Sequence, residues 1–476
     1  MTMLWEIEPL VKAMGARPFG ALPEGVTGIS IDTRTLQPGD AFFAIRGERF
    51  DGHDFATAAM AAGASLLVVS QEKLPALGRL SVPKLVVPDV LKALYDLAAA
   101  ARQRTHAKII AVTGSAGKTT TKEMLRHALS SVGSVHAADR SFNNHWGVPL
   151  TLARLPVDCD YAVFEIGMNH AGEIEPLAKL VRPHIALITL IAAAHLGHFK
   201  NLDEIARAKG EIFSGVVKGG HALINRDDQR SKILSKMAVE AGIKNIWTFG
   251  ENARAQLRLV AREPQGEGSA VTIKVAGEEL AGRIGAPGRH MALDALAAIG
   301  AGYLAGANPA RLLGSLDQFD AGEGRGKRHR LRKEGGLFTL IDESYNANPA
   351  SMKAALDLLS TMPAGEGRRI AVLGDMLELG VHSAALHAAL ADLITASGVD
   401  VLLIGGEEMK ALAARPPAGI DVEYRASVEE MEQLLLDLVR PGDMVMVKSS
   451  KSTGFSRLVE ALLRHFPAAG DGPVGA

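Results

Sequence analysis

Short runs of apolar, mostly β-branched residues alternate along the chain with segments that have helical spacing. The clearest run, residues 109–112, is followed by a Gly/Ser turn and then by Met124, Leu125, Ala128 and Leu129, which share one face of a helix. Strand, turn and helix in this order are typical of a parallel α/β sheet, and ligands bind such sheets at the carboxyl ends of the strands. The pattern therefore predicts a strand–loop–helix unit with a binding site at residues 113–121.

The same alternation predicts three groups of strands and hence an α/β fold of three domains. The first two groups are residues 28–31, 41–45, 66–69 and 84–87, and residues 109–112, 161–166, 185–191, 222–224 and 246–249. The third group is residues 337–341, 369–373, 401–404 and 444–447. Residues 256–260, 270–275 and 279–284 resemble an antiparallel ribbon. We expect domains at 1–88, 89–322 (with a linker helix) and 323–476, a glycine-rich hinge at 322–327, and a disordered tail from about 467.

Composition narrows the class of protein. A chain of 476 residues is long enough for about three domains. A net charge of −1 provides no overall field for nucleic acid or anionic membranes, so we expect neither as a partner. The sequence has no run of about 18 apolar residues, and Glu6 and Glu8 do not fit a signal peptide. Cys159 is the only cysteine, which fits a reducing compartment, and we expect a cytoplasmic monomer.

The loop after residues 109–112 has the chemistry of a phosphate site. Its residues are Thr113, Gly114, Ser115, Ala116, Gly117, Lys118, Thr119, Thr120 and Thr121. Small residues before a helix N-terminus leave a ring of backbone N–H groups that bind phosphate, Lys118 can reach the β- and γ-phosphates, and Thr119 is placed for Mg²⁺. Val112 stands where the strict P-loop pattern requires glycine, so this loop is a variant of that motif.

Other polar residues stand where predicted strands end. Glu165 and His195 could hold Mg²⁺ against ATP, although Glu165 could instead form a strand-end salt bridge and His195 could be an ordinary loop histidine. Lys209 lies in a charged helical stretch, where a solvated lysine is the simpler interpretation. In the first domain, Arg34 and Arg46 could grip a diphosphate, with a solvated loop as the alternative.

Taken together, these motifs resemble the Mur ligases over nearly the whole chain. The segments that carry the resemblance are 32–34, 113–121, 143–149, 165–174, 208–212, 287–290, 344–352 and 373–380. Within the family, Met168-Asn169-His170 and the segment from Tyr345 to Pro349 favour the type that adds a dipeptide. The chain departs from the family pattern at Met291, where Asn is common, and at Gly197-His198, where Glu-Gly is usual.

The resemblance implies a UDP-sugar domain, a central ATPase domain and a C-terminal Rossmann-like domain. It also implies an amide ligase that uses ATP and Mg²⁺ to join D-alanyl-D-alanine to UDP-N-acetylmuramoyl-tripeptide through an acyl phosphate. The implied catalytic residues are Lys118, Lys209, His195 and Glu165, with Thr119, Glu165 and His195 as metal ligands. Lys209 matches a lysine that can be carbamylated in the family.

The resemblance implies two further groups of site residues. ATP contacts are expected from Thr113 to Thr120 and from His290, Arg325 and Asp342. Substrate contacts are expected from Ser30, Asp32, Thr33, Arg34, Arg46, Gly47, His53, Asn143, Asn144, Asn169, Asn346 and Asn348. Two alternatives stay open: a related ligase that adds a single amino acid, and a P-loop regulatory protein that uses nucleotide to switch partners.

Overall fold

The computed structural model describes residues 2–139, 141–362 and 367–469. Three β-sheets, each mixed or parallel and each built from a consecutive stretch of chain, form the framework. A separate two-stranded sheet lies in the N-terminal part. This is the three-part α/β architecture that the hydrophobic pattern predicts. Across the described ranges, no helix is both long and apolar enough to cross a membrane.

The N-terminal part is a five-stranded sheet in the order β2-β7-β6-β5-β4, parallel except for β2. The strands of this part are β1 (Trp5–Glu6), β2 (Arg17–Phe19), β3 (Gly25–Val26), β4 (Gly28–Ser30), β5 (Asp40–Phe43), β6 (Leu66–Ser70) and β7 (Lys84–Val87). Of these, β1 and β3 pair with each other in a separate two-stranded sheet. Its helices are α1 (Ile7–Met14), α2 (Ala56–Ala61) and α3 (Leu74–Leu77). The following helix, α4 (Val90–Arg104), buries one face against α1 and against the central part of the molecule.

The central part is a nine-stranded sheet in the order β16-β15-β14-β13-β12-β11-β8-β10-β9. Its strands are β8 (Lys108–Thr113), β9 (Val135–Ala137), β10 (Tyr161–Glu165), β11 (Ile185–Ile188), β12 (His221–Asn225), β13 (Asn245–Gly250), β14 (Leu257–Gln265), β15 (Gly268–Val275) and β16 (Glu278–Ile284). Its helices are α5 (Lys118–Leu129), α6 (Gly147–Ala153), α7 (Ile174–Val181), α8 (Leu202–Gly210), α9 (Ser231–Glu240), α10 (Arg289–Leu304) and α11 (Pro309–Ser315). The predicted ribbon is antiparallel, but it is not separate, because β14 pairs with β13 and extends the sheet.

The C-terminal part is a six-stranded sheet in the order β17-β18-β22-β19-β20-β21, parallel except for β17. Its strands are β17 (Lys327–Lys333), β18 (Gly336–Glu343), β19 (Arg369–Gly374), β20 (Val401–Gly405), β21 (Asp421–Arg425) and β22 (Met444–Lys448). Its helices are α12 (Pro349–Thr361), α13 (Ser383–Ala388), α14 (Leu390–Ala396), α15 (Lys410–Ala413), α16 (Val428–Leu438) and α17 (Ser456–His465).

Two predictions from the sequence need correction. The strand predicted at 185–191 ends at Ile188, and the next residues form a loop that packs on the phosphate loop. The start of the predicted disordered tail is ordered, because Arg332 N donates to Pro467 O at 2.9 Å and Ala469 N donates to Arg330 O at 2.8 Å. The rest of that predicted tail, residues 470–476, lies outside the described residues.

Candidate active site

A cavity of about 1060 Å³ lies between the carboxyl ends of the central and C-terminal strands. Both sheets are parallel where they face it, so the loops that follow their strands converge there. The predicted site residues that line it are Ser115, Ala116, Gly117, Lys118, Thr119, Thr120, Asn143, Glu165, Asn169, His195, His290, Arg325, Asn346 and Asn348. The structure therefore brings together most of the predicted phosphate, metal and C-terminal residues.

The phosphate loop is held by the segment that follows β11. Ser115 N donates to Leu190 O at 2.7 Å, and Thr189 Oγ1 donates to Ala116 O at 2.5 Å. A Cβ on Gly114 would lie 1.9 Å from Thr189 Oγ1, so only glycine allows this close approach. Gly117 has φ +79, in the left-handed region that glycine adopts without strain. The loop shape thus depends on two glycines and a neighbouring strand end.

Helix α5 begins directly after this loop and points its N-terminus at the cavity. No side chain caps that end, so the N–H groups of its first turn are left for a ligand. Lys118 Nζ donates to Gly114 O at 2.8 Å, and burial lowers the pKa of this lysine. Val112 is fully buried and still belongs to β8, which continues to Thr113. An apolar residue therefore fits at this position, where the strict motif has glycine.

Thr119 and Glu165 form the part of the site that fits a divalent cation. Thr119 Oγ1 donates to Glu165 Oε2 at 2.8 Å and lies 3.0 Å from Ser141 Oγ. Asn143 Nδ2 donates to Glu165 Oε1 at 2.7 Å, which fixes the buried carboxylate. Hydroxyl and carboxylate oxygens suit Mg²⁺, which binds through few protein ligands and retains water. Across the described ranges, no group of three or more His, Cys, Asp and Glu side chains is arranged to hold a metal.

His195 lines the same cavity but faces the C-terminal part of the molecule. Its Nδ1 contacts Glu378 Oε2, and Gly197 N donates to Glu378 O at 2.8 Å. His195 and Glu378 both have left-handed backbones, with φ +58 and φ +64. Non-glycine residues in this region are strained, and such strain often occurs at functional sites.

Lys209 is buried in α8 and does not line the cavity. Burial, and secondarily the positive charge of Lys118, lower its pKa well below the ordinary lysine value. No acidic side chain within the described ranges forms an ion pair with it. The solvated lysine that the charged helical stretch suggested is therefore wrong, and burial shifts this group towards the neutral amine.

The C-terminal part contributes polar groups that reach the phosphate loop. Asn348 caps α12 and its Nδ2 donates to Ser115 O at 3.2 Å. The Arg325 guanidinium stacks 3.9 Å from the centre of the Tyr345 ring and donates to Ser141 Oγ at 3.3 Å. The Asn348 contact joins residues on the two sides of the predicted hinge, and Arg325 makes its contacts from within the hinge.

A buried ion pair lies beside this contact. Lys448 Nζ lies 3.1 Å from Glu343 Oε2 and 3.1 Å from the carbonyl oxygen of Asn346. This places a cation at the end of β22, next to the Asn346 loop.

His290, in the first turn of α10, lines the cavity, and burial lowers the pKa of its imidazole.

Asp342 is not among the residues that line the cavity. Its carboxylate accepts from Gly324 N at 2.7 Å and from Ser344 Oγ at 2.6 Å. Both oxygens are therefore used to fix the glycine-rich hinge to the end of β18.

Three other predicted site residues, Thr113, Gly114 and Asn144, are not in the lining of the cavity either. Asn144 stands in the turn before α6, where its Oδ1 accepts from Gly147 N at 2.9 Å.

The predicted UDP-sugar residues of the first domain lie outside this cavity. They are Ser30, Asp32, Thr33, Arg34, Arg46, Gly47 and His53. Arg34 is exposed and forms an ion pair with Asp32 at 2.6 Å, whereas Arg46 is exposed and its backbone forms an isolated β-bridge with that of Asp51. His53 is buried, with Nδ1 on Asp51 at 2.6 Å and Nε2 accepting from Ser70 N at 2.9 Å, so its ring holds the fold together.

Sequence reasoning missed several residues that line the cavity. Ser141, Asp294, Tyr345 and Glu378 are in the lining. Ser141 and Asp294 lie in none of the segments that carry the resemblance, whereas Tyr345 and Glu378 lie in two of those segments but were given no role. Asp294 faces Gly117 from α10, and burial raises the pKa of its carboxyl to about 8. A polar residue inside the apolar, alanine-rich α10 was the one signal that could have drawn attention to Asp294.

Comparison with known proteins gives consistent matches over nearly the whole chain. Family models match as "Mur ligase family, catalytic domain" over 25–102, "Mur ligase middle domain" over 112–302 and "Mur ligase, glutamate ligase domain" over 327–451. A protein of Escherichia coli named UDP-N-acetylmuramoyl-tripeptide–D-alanyl-D-alanine ligase is 37% identical over 91% of this chain and 93% of its own. One of the same name from Bacillus subtilis is 32% identical over 92% of this chain and 93% of its own.

Solved structures agree with these relatives. The crystal structure of MurF from Acinetobacter baumannii matches with a TM-score of 0.83 at 30% identity, covering 97% of this chain and 99% of that one. MurF from Thermotoga maritima in complex with ADP has the same fold, with a TM-score of 0.76 at 23% identity, over 91% of this chain and 96% of that one. Because these relatives match almost the whole chain and share its three-part α/β fold, the chain belongs to the Mur ligase family.

Proposed function

We propose that this chain is an ATP-dependent amide ligase that joins D-alanyl-D-alanine to UDP-N-acetylmuramoyl-tripeptide. ATP would phosphorylate the terminal carboxylate of the tripeptide. The amine of the dipeptide would then attack the acyl phosphate, giving an amide, ADP and phosphate. The names of the E. coli and B. subtilis relatives support this choice of substrates.

One observation carries the proposal: the phosphate loop and the loops of the C-terminal sheet line a single cavity. A P-loop regulatory protein needs nucleotide contacts, but it does not need a second domain that places polar groups on the phosphate site. A ligase does, because two substrates must be held in line with the γ-phosphate. The contact from Asn348 to Ser115 is the most direct example of this arrangement.

The charges at the site fit the demands of phosphoryl transfer to a carboxylate. Carboxylate and γ-phosphate repel each other, so cations must lie between or beside them. Lys118 and the N-terminus of α5 provide positive potential on one side, and Arg325 provides it from the C-terminal part. Bound Mg²⁺ would supply further charge neutralisation, with Thr119 and Glu165 as the residues that hold it and His195 as the expected third.

Lys209 has the environment that a carbamylated lysine requires. Carbamylation needs the neutral amine, and the lowered pKa of this buried lysine favours that form. The carbamate would place an anion where the buried amine was, and this anion would attract the nearby Lys118. A ¹³C signal from bicarbonate-labelled protein, absent from Lys209→Met, is the expected result, and the same signal in both proteins would exclude this role.

The remaining assignments follow from the same scheme. We propose a UDP-muramoyl-peptide domain at 1–88, an ATP domain at 89–322 and a dipeptide-binding domain at 323–476. In this scheme Arg34 and Arg46 bind the diphosphate, and Asn169, Asn346 and Lys448 surround the reacting groups. A cytoplasmic monomer fits a chain whose one cysteine, Cys159, is a buried free thiol.

The test is phosphate release measured over a matrix of UDP-muramoyl peptides and amine acceptors. We expect release that needs both UDP-N-acetylmuramoyl-tripeptide and D-alanyl-D-alanine. Faster release with single amino acids would favour a related ligase. Nucleotide turnover that is indifferent to both substrates together would mean that the chain is not a ligase.

A further inference from the structure

Two loops from different domains meet at the edge of the cavity. The first, residues 189–199, follows β11 and carries His195; the second, residues 375–380, follows β19 and carries Glu378. They are joined twice, by the contact between His195 Nδ1 and the Glu378 carboxylate and by the hydrogen bond from Gly197 N to Glu378 O at 2.8 Å. One residue, Glu378, therefore provides both the side-chain and the backbone contact.

The backbones approach so closely that side chains would prevent the contact. A Cβ on Gly380 would lie 2.7 Å from the Cα of Gly197, and Gly380 has φ +56. Gly197 lacks a Cβ on the other side of the same contact. The fit is thus specific to two glycines that face each other across the domain boundary.

Each loop is held in shape by its own domain. On the central side, Ile191 N donates to Asp228 Oδ2 at 2.6 Å and Ser115 Oγ donates to Ala192 O at 3.0 Å. On the C-terminal side, Leu377 N donates to Ser450 Oγ at 2.9 Å and Met376 N donates to His387 Nε2 at 3.0 Å. Two preformed loops can meet only when the C-terminal domain is docked over the phosphate loop.

The contact also determines how the His195 ring is held. A carboxylate in contact with Nδ1 restricts the orientation of the ring, which leaves Nε2 for another partner. The carboxylate belongs to the C-terminal domain, whereas His195 belongs to the central one. Orientation of the imidazole at the phosphate site is therefore coupled to docking of the domain.

We infer that Glu378 is a positioning residue: it holds the His195 ring at the phosphate site only when the C-terminal domain is docked. This inference rests on the proposed ligase function. The loop of residues 375–380, which belongs to the C-terminal domain, would thus orient a histidine of the central domain.

The test compares Glu378→Ala, Glu378→Gln, His195→Ala and the double variant Glu378→Ala/His195→Ala in the full chain. Loss of a side chain that orients a site histidine typically costs about 10- to 100-fold in activity, so we expect a fall of this size in kcat for Glu378→Ala. The KM for ATP should change less than about threefold, because the phosphate loop is untouched. Glu378→Gln should recover most of the kcat, since its amide oxygen still accepts a hydrogen bond.

The double variant distinguishes positioning from a merely structural role. If Glu378 acts through His195, then Glu378→Ala should have no further effect on kcat in the His195→Ala background. Independent losses that multiply would overturn the inference, as would a Glu378→Ala enzyme with the kcat of the unmodified chain. Glu407→Ala is the matched control, because Glu407 is an exposed glutamate of the same domain that pairs with Lys410.

A scattering measurement gives a readout that does not depend on activity. With ADP bound, we expect a larger radius of gyration for Glu378→Ala than for the unmodified chain, because one of the two joining contacts is lost. Equal radii would overturn the coupling to docking. If the unmodified chain shows no ligase activity, the proposed function fails, while this comparison still decides whether Glu378 holds the domains together.

Discussion

Lys118 is the first residue of α5, at the uncapped N-terminus of that helix, and its Nζ donates to the carbonyl oxygen of Gly114. Removal of one charge-stabilising donor from a preorganised site costs about 10²–10³ in kcat, and we expect a loss of this size for Lys118→Ala. Phosphate release with ATP, UDP-N-acetylmuramoyl-tripeptide and D-alanyl-D-alanine measures it. Lys92→Ala removes an exposed lysine from α4 and serves as the control. Near-normal turnover of Lys118→Ala would contradict a phosphate role for this loop.

Asp294 is a carboxyl beside the phosphate loop whose pKa burial raises from 3.8 to about 8. Between these values the unfolded chain has released its proton while the folded protein retains it, so the free energy of unfolding falls as pH rises. Below about pH 4 the group has no such effect, and above about pH 8 the loss is complete. The asparagine side chain in Asp294→Asn does not titrate, so its free energy of unfolding does not include this decrease with pH.

We therefore expect Asp294→Asn to be stabilised relative to the unmodified chain, and more so at pH 8 than at pH 5. Each unit of pKa shift corresponds to about 1.4 kcal/mol, and solvent in the cavity reduces the effect, so a difference on the order of 2 kcal/mol is expected at pH 8. Calorimetric unfolding at both pH values measures it, with the exposed Asp158→Asn as control. A stability difference that does not change with pH would refute the buried neutral carboxyl.

At the scale of elements, the phosphate loop depends on the loop after β11 as much as on its own sequence. A methyl group on Gly114 would meet Thr189 Oγ1 at 1.9 Å, so Gly114→Ala must displace one of the two loops. Overpacking of this kind costs about 1–3 kcal/mol, and we expect a rise of about tenfold or more in the KM for ATP. Gly314→Ala is the control, because nothing lies within 4 Å of its added carbon. Unchanged ATP kinetics in Gly114→Ala would show that the loop shape does not need this contact.

The strands that sequence reasoning found and missed differ in where they lie in their sheets. Central parallel strands such as β8 and β20 are buried on both faces, so their apolar runs are visible in the sequence. Six strands were missed: β1 and β3 form the two-stranded sheet, and β2, β9, β17 and β21 lie at edges of the large sheets. Edge strands contact solvent and carry polar residues, as in the charged sequence of β17. Their position in the sheet, which is a tertiary property, defines them.

The site residues also fall into two groups, those that local spacing predicts and those that depend on how the domains dock. Lys118, Thr119 and Glu165 follow strand ends of one domain, so local spacing is enough to predict that they lie close together. Glu378 reaches His195 from another domain, and Asp342 is used inside the hinge although it follows a strand end. Which groups meet across domains depends on how the three sheets dock. Neither periodicity nor motif spacing contains that information.

At the scale of the whole molecule, the C-terminal domain lies over the phosphate loop, through Asn348 on Ser115 and Glu378 on His195. Substrates must enter a cavity whose walls belong to both domains, so the domain must open, and the glycine-rich segment 322–327 is the expected hinge. We therefore expect a smaller radius of gyration with ADP and UDP-N-acetylmuramoyl-tripeptide than without ligand, measured by small-angle scattering. Lys118→Ala, which should bind nucleotide poorly, should compact less at the same concentrations. Identical scattering in all states would mean that the domains stay docked, and that substrates reach the phosphate loop without hinge motion.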